Sequence, residues 1–180
     1  MATNHPVLGH RALNRAFLER QLLLRRSELP VPAAIAHLVA VQAQVPHAPY
    51  LGLWSRVAGF DPHDLGRRID ELSLVRMASL RATMHLTTVE DALALPPVVA
   101  PLHQRMFRGS EYGRALAGLD LGEVVTAGLE VLRAGSRTAP ELGRELATRF
   151  PDRDPVPLGA AVVYGAPLLQ VPPRGVWGST

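Results

Sequence analysis

Gln42 and Gln44 stand one residue apart in the otherwise apolar run LVAVQAQVPHAPY, residues 38–50. An amide left without partners in an apolar setting costs on the order of 1–3 kcal/mol, so such a pair marks a surface, a hydrogen-bonded network or a site. Glutamine does not titrate and cannot be a true general base. Its amide does donate and accept together, which suits it to holding a water beside a developing cation. On a continuing helix, residues two apart point roughly 200° away from each other, so both amides can face one target only where the chain becomes extended. Pro46 forces an exit from the helix near this point. The alternative is that the amides cap carbonyls at the helix end, and spacing leaves both readings open.

A second constellation is SLRATMHLTT, residues 79–88. Read as a strand, it places Arg81, Thr83 and His85 on one face and Ala82, Met84 and Leu86 on the other. The polar face is either solvated or a DNA-facing wing with Arg81 on phosphate. Near the end, VPPRGVWG carries Arg174, a further candidate for phosphate, and Trp177, which reads as a packing anchor. His37 reads as a surface or satisfied histidine. No His/Asp/Glu spacing suggests a metal, no glycine-rich loop a nucleotide, and no G-x-S-x-G or Ser/His/Asp grouping a hydrolase triad. Cysteine is absent, which removes thiolate zinc sites and cysteine nucleophiles. The expectation is no metal and no cofactor.

The elements that must position these residues follow from periodicity. His10 to Leu24 puts Leu13, Phe17, Gln21 and Leu24 on one stripe of an amphipathic helix. Pro30 and Pro32 open a second helix, from Ala33 to about Val41, which runs into the glutamines. YLGLWSRV and DPHDLGRRIDE supply two more short helices, and Leu74–Leu80 and Ala82–Thr88 read as strands of a hairpin. Helices followed by a hairpin are the order of a winged helix-turn-helix. The order recurs: a connecting helix broken at Pro96 and Pro97, a glycine-rich link from Gly109 to Gly118, capping-box signatures at Asp120/Glu123 and Thr138/Glu141, and a third apolar helix from about Leu158 to Leu168. LLQVPPRGVWGST then reads as a strand opening a second wing. The expected fold class is mainly α with small β-hairpin wings, an α+β arrangement of tandem winged helix-turn-helix units. A first unit with its connecting helix spans 1–108 and a second spans 109–180, ending within its wing as a fragment or truncated relative would.

With 180 residues, 47% of them hydrophobic, the chain can bury a real core. The N-terminus lacks the apolar core of a signal peptide, and no run approaches the roughly 18 apolar residues of a membrane span. A cytoplasmic, nucleoid-associated monomer without membrane contact is expected. All 19 basic residues are arginine and the formal charge is +3. A GC-rich genome accounts for such a bias, and so does a need for fork-shaped phosphate contacts.

The stretches LNRAFLERQLLL, LVAVQAQVPHAPYLGLWSRVAGFDP, LVRMASLRATMHLTTVEDALAL and LLQVPPRGVWG make almost the whole chain resemble the winged-helix DNA-binding family that contains the AlkZ-like DNA glycosylases. In that family a glutamine-any-glutamine motif is the catalytic signature, and it maps onto Gln42, Ala43 and Gln44; a sister branch has aspartate at the second position. The resemblance implies three tandem winged-helix units around a DNA-sized channel, of which two are present here, and excision of bulky alkylated purines, including those in interstrand cross-links of double-stranded DNA. The family pattern has glycine where Ala82 stands, and a methyl there would crowd a close DNA backbone. The chemistry agrees with the resemblance: an N7-alkylated guanine is already cationic, so its glycosidic bond breaks without an acid on the leaving base. What remains is to place a water at C1′ beside an oxocarbenium-like sugar. The reading is a monofunctional DNA glycosylase. The alternatives are a non-catalytic winged-helix DNA-binding module and a protein-interaction winged helix.

Overall fold

The computed structural model describes residues 7–179; readings that involve the first six residues or Thr180 lie outside the described residues. Helix α1 (His10–Arg20) stops short of Leu24 because Leu22 takes a φ of 55° and turns the chain. Its stripe is not part of the core, with Leu13 49% and Phe17 63% exposed.

Helices α2 (Val31–Leu38), α3 (Ala48–Trp54) and α4 (Pro62–Asp70) follow, each with a proline in its first turn. There the missing N–H is no loss and the fixed φ favours initiation. Asp61 caps α4 by accepting from the His63 N–H at 2.8 Å. Strands β2 (Leu74–Ala78) and β3 (Met84–Thr88) then form the hairpin. Both are shorter than expected, because residues 80–82 make a tight turn in which Arg81 and Ala82 both have φ of 55°. Strand β1 (Val41–Gln42), expected as the last turn of a helix, lies antiparallel to β3. Ile35, Leu53, Leu65, Leu74 and Leu86 pack beneath this sheet as the core of a three-helix and hairpin unit.

Pro96 separates α5 (Val89–Ala94) from α6 (Pro96–Gly109). The expected glycine-rich link contains a short helix, α7 (Glu111–Ala115), capped by Ser110, and Leu116 just beyond it is buried. Helices α8 (Leu121–Arg133), α9 (Ala139–Ala147) and α10 (Pro155–Gly165) complete a second core around Phe107, Val124, Leu142, Leu146 and Leu158. Thr138 and Glu141 form the full capping box, whereas Asp120 accepts from the Gly122 N–H without the reciprocal bond from Glu123. Helices α9 and α10 meet through glycine: a Cβ on Gly159 would lie 2.5 Å from the Ala139 carbonyl oxygen.

The chain then returns to the first core. Strand β4 (Leu169–Gln170) pairs antiparallel with β2, opposing Gln170 to Arg76 and Leu169 to Met77, so the sheet order is β1-β3-β2-β4. The terminal segment was expected to open a wing of the second unit; it is instead an edge strand of the first unit's sheet. The reason lies in its partners: Val176 packs on the first core, and Gly175 offers its carbonyl to the Tyr50 hydroxyl at 2.8 Å.

Candidate active site

The glutamine segment is extended because α2 is ended abruptly. Val39 takes φ 66° and ψ −47°, a costly conformation for a β-branched residue. Its carbonyl oxygen accepts from Thr87 Oγ1 at 2.8 Å, which ties the turn to β3. From there Val41 opposes Leu86 and Gln42 opposes His85, and the Ala43 N–H donates to the Met84 carbonyl at 2.8 Å. Val41 and Ala43 turn to the core, Ala43 with no exposure at all, while Gln42 on the strand and Gln44 at the bend beyond it are exposed.

The two amides are held differently. Gln44 Oε1 accepts from the Met84 N–H at 3.0 Å, which leaves its NH2 group as the outward donor. Among the described residues the Gln42 side chain makes no hydrogen bond, so its oxygen and nitrogen are both available. The helix-end cap weighed from the sequence is not formed by either amide. Thr87 holds the Val39 carbonyl, and the Gln44 oxygen serves β3.

The hairpin residues divide. Arg81 is exposed in the turn rather than on a strand, and Thr83 is half-buried, its hydroxyl donating to the Leu80 carbonyl at 3.1 Å. His85, expected on a polar face, is buried at 4% exposure, and Thr87 beyond it is fully buried. That face is covered because α5 and α6 lie against it: Ala92 packs on Val75 and Met77, and His103 Nε2 sits 2.6 Å from the Ser79 carbonyl oxygen. Burial pushes the His85 imidazole below its usual pKa; the Thr83 carbonyl, 2.9 Å from Nδ1, opposes this and Arg81 adds to it. Neutral His85 thus lies across the strand pair from Gln42. Arg174 is exposed in the loop after β4, and its carbonyl accepts from Arg76 Nη1 at 3.1 Å.

Two functional candidates escaped sequence reading. Arg76 is 2% exposed in the middle of LVRMA, and burial lowers its pKa. An arginine at an inward position of an apolar strand was the available signal. Tyr50 is pushed up to about 12 by burial while its hydroxyl binds the Gly175 carbonyl. Trp177, expected to pack, does so on one side: its ring lies 4.9 Å from Tyr50, yet it is 42% exposed. It helps to line an open apolar cleft of about 750 Å³ with His47, Trp54 and Phe60. Neither glutamine lines that cleft, so the apolar cleft and the amide pair are separate features.

Among the described residues no three His, Cys, Asp or Glu side chains are grouped as metal ligands. No helix of the described residues is long and apolar enough to cross a membrane.

Three helices, a hairpin wing and a β1 strand beside it define a winged-helix protein. A family model described as DNA glycosylase AlkZ-like matches residues 35–179, and the chain belongs to that family. The structure of Streptomyces sahachiroi DNA glycosylase AlkZ shares the fold with a TM-score of 0.69 at 22% identity, over 88% of this chain and 45% of that one. The chain therefore spans less than half the length of that protein. No functionally curated protein matches it.

Proposed function

We propose that the chain hydrolyses the N-glycosidic bond of bulky N7-alkylated purines, including those in interstrand cross-links, in double-stranded DNA, with Gln42 and Gln44 holding the attacking water. The observation that carries this reading is the exposure of both amides at and just beyond the short strand β1, the oxygen of Gln44 anchored by the Met84 N–H. An anchored NH2 on Gln44 donates to the water, and the free Gln42 oxygen accepts one of its protons, which directs a lone pair at C1′. The C1′–N9 bond breaks with its electron pair passing to the cationic base. The water oxygen bonds to C1′ and releases a proton to solvent. No acid is needed on the leaving group, which agrees with a site of neutral amides. Cross-linked bases are hard to extrude into a tight pocket, and glutamines on an open edge strand suit them.

Arg81, Thr83 and Arg174 are the proposed phosphate contacts. His85 enters this reading as a buried neighbour of Gln42 rather than a DNA contact. A division near Gly109 is supported by the two separate cores, although β4 and Val176 return to the first of them and the second is helical among the described residues. A monofunctional, cytoplasmic and monomeric enzyme without cofactor completes the proposal.

The test is incubation with duplex DNA carrying N7-methylguanine or a bulkier adduct, followed by alkali to reveal abasic sites. Product that is lost in Gln42→Ala and Gln44→Ala is expected; product unchanged in both refutes the site. A DNA-binding module without catalysis is the second reading, favoured by the Gln42 amide's having no hydrogen-bond partner to orient it among the described residues. It predicts salt-sensitive duplex binding with no product. A chain that binds no duplex at low salt would point to a protein-interaction role.

A further inference from the structure

Arg76 lies on β2, with β3 between it and the glutamine segment, yet its Nη2 donates to the Ala43 carbonyl at 2.7 Å. Ala43 is the residue between the two glutamines. In a hydrogen-bonded antiparallel pair, the opposed residues exchange two bonds, N–H to carbonyl in both directions. One step beyond the Gln42–His85 pair, Ala43 and Met84 make the first of these at 2.8 Å. The return bond is missing: Arg76 holds the Ala43 carbonyl, and the Met84 N–H is met by Gln44 Oε1 at 3.0 Å.

We infer that Arg76 is a positioning residue for the glutamine pair: by taking the Ala43 carbonyl out of the ladder, it leaves a vacant N–H that captures the Gln44 amide and fixes its NH2 group outward. The catalytic part of this inference rests on the glycosylase reading; the hydrogen-bond exchange does not.

The side chain is an unusual choice for folding alone. It is 2% exposed, its Nε has no partner, and among the described residues no carboxylate lies within ion-pair distance. A buried guanidinium without a counter-ion is a standing cost that an apolar residue of similar size would avoid. What the fork supplies is two donors in fixed geometry, one for Ala43 and one for the Arg174 carbonyl. Gly175 makes room for it: with φ +94°, a Cβ there would lie 2.9 Å from Arg76 Cδ.

The experiment reads the Met84 amide by hydrogen exchange in wild type, Gln44→Ala, Arg76→Met and the double variant, alongside steady-state excision of N7-methylguanine. In the wild-type background Gln44→Ala is expected to speed Met84 exchange about tenfold or more. In the Arg76→Met background, where the Ala43 carbonyl rejoins the ladder, it is expected to change nothing. Excision by Arg76→Met falls by roughly 10- to 100-fold in kcat with KM unchanged, the scale of a misplaced reacting group. An equal effect of Gln44→Ala in both backgrounds, or none in wild type, overturns the inference. If Arg76→Met does not fold, Arg76→Lys replaces it. A single ammonium cannot serve both carbonyls as a fork does, so kcat falls several-fold at constant KM, whereas unchanged kcat and unchanged exchange overturn the inference. If the wild type excises nothing, the glycosylase reading fails, and the exchange comparison still decides the role of Arg76.

Discussion

Alanine at position 42 and alanine at position 44 should be equivalent for catalysis and different for stability. Gln44 Oε1 is the acceptor of the Met84 N–H at 3.0 Å, and its truncation leaves that donor to water. An intramolecular bond of this kind contributes about 0.5–1.5 kcal/mol net, so Gln44→Ala should cost about 1 kcal/mol. Gln42 is exposed and spends its amide on nothing else in the described structure, so Gln42→Ala should lie within about 0.5 kcal/mol of wild type. With a urea m-value of about 1–3 kcal/mol per M, the Gln44 variant should unfold about 0.5 M earlier, and the Gln42 variant should not shift measurably. Both should lose about 10²–10³ in the excision rate, the scale of one missing group at a developing charge. Gln44→Glu sharpens the comparison, because a carboxylate oxygen still accepts from Met84: stability is kept while the outward NH2 is gone. Urea melts and single-turnover excision, run on the same preparations, measure both quantities. A Gln42→Ala midpoint that falls as far as that of Gln44→Ala would refute the division of labour.

Three other outcomes follow from the geometry. Tyr50 has a folded pKa of about 12 against 10.0 unfolded, so its share of stability is complete below pH 10 and is lost as the pH rises through 12. Tyr50→Phe, which also orphans the Gly175 carbonyl, should cost about 1–3 kcal/mol and remove the tyrosinate absorbance that rises near pH 12. His85 is held below its unfolded value of 6.5, so its contribution is complete above about pH 6.5 and is lost as the pH falls from there through the folded value. His85→Gln should flatten the acid limb of a stability-versus-pH curve, and an unchanged limb would contradict a buried neutral imidazole. Ala82 pays for a φ of 55°, so Ala82→Gly exchanges about 1–2 kcal/mol of strain for about 0.5–1 kcal/mol of unfolded-state entropy. The expected result is a melting temperature higher by about 1–2 °C, where glycine elsewhere would lower it.

Much of the architecture was legible because prolines and caps announce helix starts in local sequence. Asp61-Pro62 and Thr138 with Glu141 act where they stand, and α4 and α9 begin accordingly. Readings that failed depended on partners distant in sequence. His85 alternates correctly with Leu86, but α5 and α6 bury the face that alternation alone leaves polar. The terminal strand was legible as a strand, whereas its partner, 94 residues earlier for the Arg76–Gln170 pair, was not. Ala82 was read against a DNA backbone. The structure gives the position a nearer meaning, since a left-handed turn favours glycine before any ligand arrives. The glutamine pair was legible as a motif, whereas the early end of the helix at Val39, held by Thr87 from β3, was not. The anchoring of Gln44 was not, because it requires an arginine two strands away to occupy the Ala43 carbonyl.

The return of β4 to β2 also sets an order of assembly. Helices α6 to α10 are contiguous in sequence and pack mostly on one another, so their contacts close short loops and form early. The Arg76–Arg174 and Tyr50–Gly175 bonds join residues 98 and 125 positions apart, and loop closure over such spans is slow to reward the chain. On a ribosome, the first sheet emerges with an unpaired edge and an arginine lacking one of its carbonyls until residues 169–176 arrive. The expected intermediate has the first helices and hairpin made before α6 to α10 but completed only after them, with the glutamine strand among the later parts to lock.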